Sequence, residues 1–544
     1  MFAAANAQET EQVTVSASRI SIAGYQASTP VTVLDTAALN RDAMVAIGDS
    51  IRELPAVGIS DSPNNAARNA NSGPGDAVLD TVSLRSLGTA RTLVLFDGQR
   101  VVTSNPSNGS AGGGGGAIGT GGGGGVDLST LPTSLIERVD VVTGGASAAW
   151  GSDAVAGVVN LVLNKKFEGL KANAEFGDTD KDDHRVYKME LTAGTAFDGD
   201  RGHLILSAQH TMSPDAVFIS QRSWWRPQGL FPAGQSPTQS FASYGGGTVA
   251  SPECIRTYIN GSTANTIGGL ITSSAAGVGT VGVNGVTALA PANALKGLQF
   301  GPGGTISQFQ FGTNFASTCA NCSATNFSSN SQFYVAAVPV HNTALFGYAS
   351  YMLTDDIKAS VQLNFGSNYG KIDNPRVTNV TVKPDNAFLD PTIAAQMVAG
   401  GIPSLNLGST NVVDLTVANT RFPTFATLQQ GFGEGVTETQ RQMMRGVFTL
   451  EGTIGSNWSW NAYAQNSEVR ERMHLINNLL TPNYNNAVDA VRVTASGPDS
   501  VTPAAAAALT AAGAPVPIVG SIACRSSLTS TSWGVIPPAT PGGQ

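Results

Sequence analysis

The sequence predicts a compact α+β domain followed by part of a large antiparallel β-barrel. Three observations lead there. Short β runs alternate with brief helical segments between about residues 30 and 164. From residue 168 onward, apolar and polar side chains alternate at period two over seven separate stretches. The links between those stretches are alternately very tight and very long.

Composition narrows the class. Of 544 residues only 12% are charged, and 63 are Gly; a soluble globular chain carries about 25% charged residues. The net charge of −8, from 30 basic and 38 acidic residues, argues against a nucleic-acid partner, which needs a concentrated basic face. No run of about 18 apolar residues occurs, which excludes a helical membrane protein. The most apolar late stretch, 504–523, is Ala-rich and broken by Pro515 and Pro517. Few charges and many small polar residues leave a polar-lined barrel, a Gly/Asn-rich solenoid or a partly disordered secreted chain. At the N-terminus, Ala5-Asn6-Ala7 before Gln8 has the A-x-A form of a signal-peptidase site. The expectation is the tail of an export signal, with Gln8 as the mature start.

In chain order, residues 32–34 read as a strand, and 37–39 and 47–54 as short helices, the second capped by Asp49 or Ser50. Residues 82–85 and 92–96 read as strands, and Asp97-Gly98 as the turn into Arg100-Val101-Val102. Residues 111–126 hold two five-Gly runs and suit a flexible insertion. Pro132 and Ser134 suggest another helical turn. Residues 136–142 alternate at period two, and 154–163 form a buried apolar run. Gly144, Gly145, Gly151 and Gly157 punctuate these strands, but no Gly-Lys-Ser/Thr follows, so a phosphate loop is excluded. Arg85, Arg91 and Arg138 interrupt apolar β runs and require carboxylate partners. Local partners for Arg85 and Arg138 are Asp80, Glu137 and Asp140.

The seven alternating stretches lie near 170–176, 187–193, 203–209, 343–353, 357–365, 444–451 and 458–465. Ile205 breaks the alternation in the third, and the fourth is the least regular. Residues 198–200, 354–356 and 455–457 are tight links. One short loop, 178–183, and two long ones, about 214–342 and 372–439, fall on the opposite side. Short turns on one side and long loops on the other are the polarity of a transmembrane barrel.

Catalytic and metal sites are not expected. The five His have no ligand spacing, no G-x-S-x-G elbow occurs, and Asp178, Asp180, Asp182 and Asp183 suit a solvated turn. Cys254, Cys319 and Cys322 share the first long loop, where an exported chain favours disulfides. Cys254 can pair with only one of the other two.

VSLRSLGTARTLVLFDGQRVV (82–102) and VDLSTLPTSLIERVDVVTGGASAAWGSDAVAGVVNLVLNK (126–165) resemble the plug domain of TonB-dependent outer-membrane receptors. The resemblance implies a residual tail at 1–12, a TonB-box-like coupling segment at 13–18, a plug at 19–167, and barrel with long extracellular loops over 168–544. Val13, Thr14, Val15, Ser16 and Ala17 alternate as a strand that adds to a partner's sheet edge. In the family that partner is TonB, driven by its inner-membrane energising complex. Plug arginines in the family pair with barrel glutamates, a role carried to Arg85 and Arg138. Residues 524–529 are similar to a segment that a second Cys shortly follows, so the partner of Cys524 is expected beyond Gln544. The implied function is TonB-dependent active import of a scarce or bulky ligand across the bacterial outer membrane, with no enzymatic activity and no cofactor. The ligand is of siderophore, cobalamin or oligosaccharide type; the alternative is a surface receptor or adhesin that binds without transport. Receptors of this kind have about 22 strands, and seven cannot close around such a plug, so an incomplete receptor is expected.

Overall fold

The computed structural model describes residues 31–35, 46–58, 60–64, 78–104, 125–144, 146–218, 335–374, 376–411, 435–455, 458–476 and 481–530, with short pieces between 221 and 320. The chain divides into two compact units. The first holds residues 1–218, 335–372 and 437–474; the second holds 219–334, 373–436 and 475–544.

The N-terminal domain of the first unit is built on five strands: β1 (Val31–Asp35), β2 (Thr92–Phe96), β3 (Gln99–Arg100), β4 (Ile136–Thr143) and β5 (Gly157–Leu163). Their order is β1-β4-β5-β2-β3. Only β2 and β5 run parallel, and the other pairs are antiparallel. Central strands buried on both faces read as continuous apolar runs, as TLVLF and GVVNLVL do. The β2–β3 link is a two-residue turn at Asp97-Gly98, both left-handed at φ 56° and 75°, the geometry a tight hairpin demands. Helix α1 (Ile47–Arg52) begins at Ala46, which makes no side-chain cap; Asp49 and Ser50 lie inside the helix, not at its start. Residues 134–135 form a turn that leads directly into β4, and the helical turn expected there does not form. Residues 37–39 and 105–124 lie outside the described residues.

The second layer is one antiparallel meander of seven strands: β6 (Gly169–Gly177), β7 (Val186–Phe197), β8 (Gly202–Ser213), β9 (Val340–Met352), β10 (Ile357–Asn374), β11 (Gly435–Ile454) and β12 (Trp458–Ile476). All seven period-two stretches are strands of it. Its burial is inverted relative to a soluble sheet. Leu170 and Leu363, on one face, are 74% and 60% exposed, whereas Thr192 and Asn368, on the other, are 1% and 0% exposed. The polar face lies against the N-terminal domain. Ile205, Phe346, Tyr348 and Met443 from that face join the core of Leu84, Phe96, Val139 and Leu161. Phe96 meets Phe346 edge-on at 5.8 Å. These inward apolar residues explain the two irregular strands: where the domain packs, the lining becomes apolar.

Aromatic rings mark both ends of the exposed face. Phe176 and Tyr187 pack at 5.3 Å, and His341 and Tyr369 at 5.9 Å, near one end. Phe197 stacks on Tyr351 at 6.2 Å near the other, with Arg201 5.9 Å from the Tyr351 ring. At this second end the links are tight, helped by left-handed Asp198, Gly199, Asp200 and Gly455.

The second unit is not irregular loop alone. Ile306–Gln308, Leu298–Phe300, Leu270–Ser274, Leu405–Asn411 and Arg376–Val382 form a five-stranded sheet in that order. Helix Pro391–Ala399, capped by Asp390, covers a small core of Ile271, Leu295, Ile393, Met397, Ile402 and Leu405. Arg525 joins Asp385 (2.7 Å), Asp489 (3.2 Å) and Asp499 (2.5 Å), tying residues near the sheet to the 490–530 segment.

Candidate functional site

The candidate site is the seam between the N-terminal domain and the polar face of the sheet, held at three levels. The first centres on Asn368 of β10. Its Nδ2 donates toward Val78 O (2.6 Å), Ser129 Oγ (2.7 Å) and Asp127 Oδ2 (3.0 Å). Asp127 is prepared for this by the 3₁₀ turn that it caps, Leu128–Thr130, where its other oxygen accepts Ser129 N at 3.1 Å. Gly366, two residues before Asn368 on the same face, permits the close approach. A Cβ at 366 would collide with the Thr130 carbonyl, and one at 370 with Val78.

The second level is a set of hydroxyls. Thr133 N donates to Gln209 Oε1 (2.8 Å), and Thr133 Oγ1 lies 2.7 Å from that oxygen and 3.0 Å from Glu190 Oε1. Ser134 Oγ meets Ser207 Oγ at 2.5 Å. Lys188, 3.1 Å from Glu190, balances the carboxylate in the buried layer.

The third level receives the β2–β3 hairpin tip. Gln362 Nε2 donates to Asp97 Oδ2 (2.9 Å), and Lys165 Nζ lies 3.0 Å from the same oxygen. Burial alone would depress the Lys165 amine, but Asp97 holds it above the usual range. Arg445 of β11, almost fully buried, donates to Gln99 Oε1 (2.9 Å) and Gln362 Oε1 (3.4 Å). Its guanidinium carbon stands 5.8 Å from the Phe96 ring centre. Gln99 Nε2 completes the contact on Thr449 Oγ1 at 3.2 Å. Here the sheet supplies a guanidinium to Gln99, while the domain's own Lys165 pairs with Asp97.

Two polar groups flank the seam. Inside the domain, Arg52 bonds Asp49 (2.5 Å), Asp80 (2.8 Å) and the carbonyls of Asp61 and Thr81. Burial pushes the Asp80 carboxyl up to about 7, against the pull of Arg52. Outside the strands, Arg185 grips Asp215 through two nitrogens at 2.8 and 2.9 Å. That pairing holds the Asp215 carboxyl below its ordinary range.

The residues singled out from sequence fall elsewhere. Arg85 is exposed in a left-handed turn (φ 52°) after the Ser83–Leu84 strand. Arg138 bonds its strand neighbours, Asp140 at 3.1 Å and Glu137 at 3.6 Å. Val13, Thr14, Val15, Ser16 and Ala17 lie outside the described residues, as does Cys322. Cys254 and Cys319 stand on the strands Cys254–Thr257 and Thr318–Ala320, opposite Pro232 in the first case and Gly261 and Asn314 in the second. Cys524 is a free thiol. Among the described residues no cluster of His, Cys, Asp or Glu is placed to hold a metal ion. Sequence reading missed Asn368, Gln209 and Arg445 as contacts because every polar residue of an inward face carries the same period-two signal, and Gln99 and Thr133 because they sit in a short hairpin strand and a connecting segment with no pattern of their own.

Comparison with known proteins bears on this arrangement. Residues 24–158 match the family model of the TonB-dependent receptor plug domain. Among solved structures, a ferric enterobactin receptor of Pseudomonas aeruginosa is similar over 82% of this chain and 42% of its own, at 13% identity and TM-score 0.40. The siderophore receptor PirA of Acinetobacter baumannii matches over 82% and 45%, at 14% identity and TM-score 0.34. The ferric-catecholate import receptor Fiu of E. coli matches over 81% and 47%, at 11% identity and TM-score 0.32. The chain spans less than half the length of each of these three. The N-terminal domain, residues 24–158, is the plug domain of a TonB-dependent receptor.

Proposed function

We propose that this chain belongs to an active importer of the bacterial outer membrane, in which the seven strands cross the bilayer around the plug. The observation that carries the reading is the inverted sheet: apolar side chains on the open face, polar ones against a folded domain. A lipid-facing wall with a filled lumen has this distribution, whereas a soluble sheet buries its apolar face. The aromatic bands fit the same picture. Tyr187 and Phe197 stand at opposite ends of β7. The ten-residue span between them is about 33 Å at ~3.3 Å per residue, or about 25 Å along the normal at the usual tilt, the height of an outer-membrane apolar band.

In this reading residues 19–167 are the plug, 168–544 carry wall and extracellular segments, and 13–18 form the strand on which TonB pulls. The ligand is scarce or bulky, of siderophore, cobalamin or oligosaccharide type. Displacing the plug means breaking the three levels of the seam. Cys254 remains proposed as a disulfide partner of Cys319 or Cys322, whereas Arg138 takes the local pairing with Glu137 and Asp140. Val15→Pro tests the coupling: it removes a backbone donor from the pairing strand. Growth is compared in iron-limited and glycan media in a strain that depends on this receptor. Loss of growth with surface binding intact is expected; unchanged growth would leave the adhesin reading in place.

A further inference from the structure

The second unit contains a cavity of about 460 Å³ that the import reading does not use. It opens between its five-stranded sheet and helix Thr481–Val488. Ile271, Val380, Val382, Leu405 and Leu407 form the floor, and Phe388, 76% exposed, stands at the rim. Of the polar side chains that line it, Asn386 and Asp390 are engaged within the fold. Asn386 donates to Val488 O (2.5 Å) and accepts from Phe388 N (3.0 Å). The Asp390 carboxylate caps the helix behind it, accepting Thr392 N (2.8 Å) and Ile393 N (3.3 Å). Among the described residues no cation lines the cavity, and the nearby Lys383 and Arg525 are held by Asp385, Asp489 and Asp499.

We propose that this cavity binds the uncharged, apolar or aromatic portion of a small ligand and discriminates against anionic groups. Pockets that bind small molecules are mostly apolar, with a few placed polar groups, and this volume suits one or two aromatic rings with substituents. An anion entering would lose its hydration, meet no cation among the lining residues, and face the Asp390 carboxylate. As a first capture site for imported cargo the cavity rests on the import reading; its charge selectivity does not.

The test is photolabelling of the purified full chain with (hydroxymethyl)benzophenone and, in parallel, the matching benzophenone carboxylate, with crosslinked peptides located by mass spectrometry. The neutral probe is expected to label peptides from 376–390 and 481–489 at least tenfold more than the anionic one. Leu407→Glu should reduce that labelling at least fivefold. Phe388→Ala, at an exposed rim position that the fold does not need, should reduce it about threefold. Equal labelling by the two probes, or neutral-probe labelling unchanged in both variants, would overturn the proposal. The measurement uses no TonB and no living membrane, so failure of import in the Val15→Pro experiment leaves its outcome unaffected.

Discussion

Gly366→Ala adds one methyl group to the wall at the point where the plug backbone touches it. The added Cβ falls on the Thr130 carbonyl and on the Thr130 Cβ, and backbone on both sides leaves no flexible end to yield. To restore a normal contact the Leu128–Thr130 turn must retreat by about 1 Å. The contacts of Asn368 to Ser129 and Asp127, at 2.7 and 3.0 Å, are made to that turn and its cap, and such a retreat stretches them beyond bonding range. Each bond contributes about 0.5–1.5 kcal/mol net, and overpacking a tight contact costs about 1–3 kcal/mol. The terms share one displacement and do not add fully, so a loss of about 2–5 kcal/mol in plug seating is expected. Gly347→Ala is the internal control. It lies on the open face, the nearest atom to its new Cβ is Leu206 Cδ2 at 3.6 Å, and replacing a strand Gly by Ala gains about 0.5–1 kcal/mol. Hydrogen exchange of amides 126–131, followed by mass spectrometry, reads the seating. Exchange at least tenfold faster in Gly366→Ala and unchanged in Gly347→Ala is the expected pattern. Equal behaviour of the two variants would refute the close approach.

Arg445→Met keeps the volume but leaves the Gln99 carbonyl without its donor; about 1–3 kcal/mol of plug seating should be lost, seen as faster exchange at residues 96–100 than at 126–131. Arg445→Lys should not restore it, since one ammonium cannot reproduce the fork on Gln99 and Gln362. The Asp215 carboxyl is depressed by Arg185, so the pair stabilises the fold above the ordinary carboxylate range and loses that contribution as pH falls through the depressed value. Arg185→Gln should shift the Asp215 titration upward by carbon-detected NMR; an unmoved titration would contradict the pairing.

What the sequence made legible follows from solvent. On the proposed reading, a wall between lipid and a filled lumen must alternate, as the stretches in β6 to β12 do. Ile205 and the irregular β9 departed from the pattern where Phe346 and Tyr348 meet the plug core, so departures marked contact before contact was known. The two long connections look like loops in sequence because their order is non-local. Leu270–Ser274 pairs with Leu405–Asn411 across more than a hundred residues, and no local pattern announces such a sheet. The seam itself was the least legible part. Arg138, which sequence reading singled out, bonds its own strand neighbours, while the unremarkable Asn368 and Gln99 bind across the seam. A single polar position carries no sign of which backbone will face it.

Spin-label accessibility distinguishes a sheet whose apolar face meets lipid from one whose apolar face meets water. Labels are placed at positions 362 and 363 in lipid, in a background with the four native cysteines replaced. At 363 collisions with oxygen should be frequent and those with a water-soluble nickel chelate rare; at 362 both should be rare, because the plug covers that face. Frequent nickel-chelate collisions at 363 would place Leu363 in water and contradict the account.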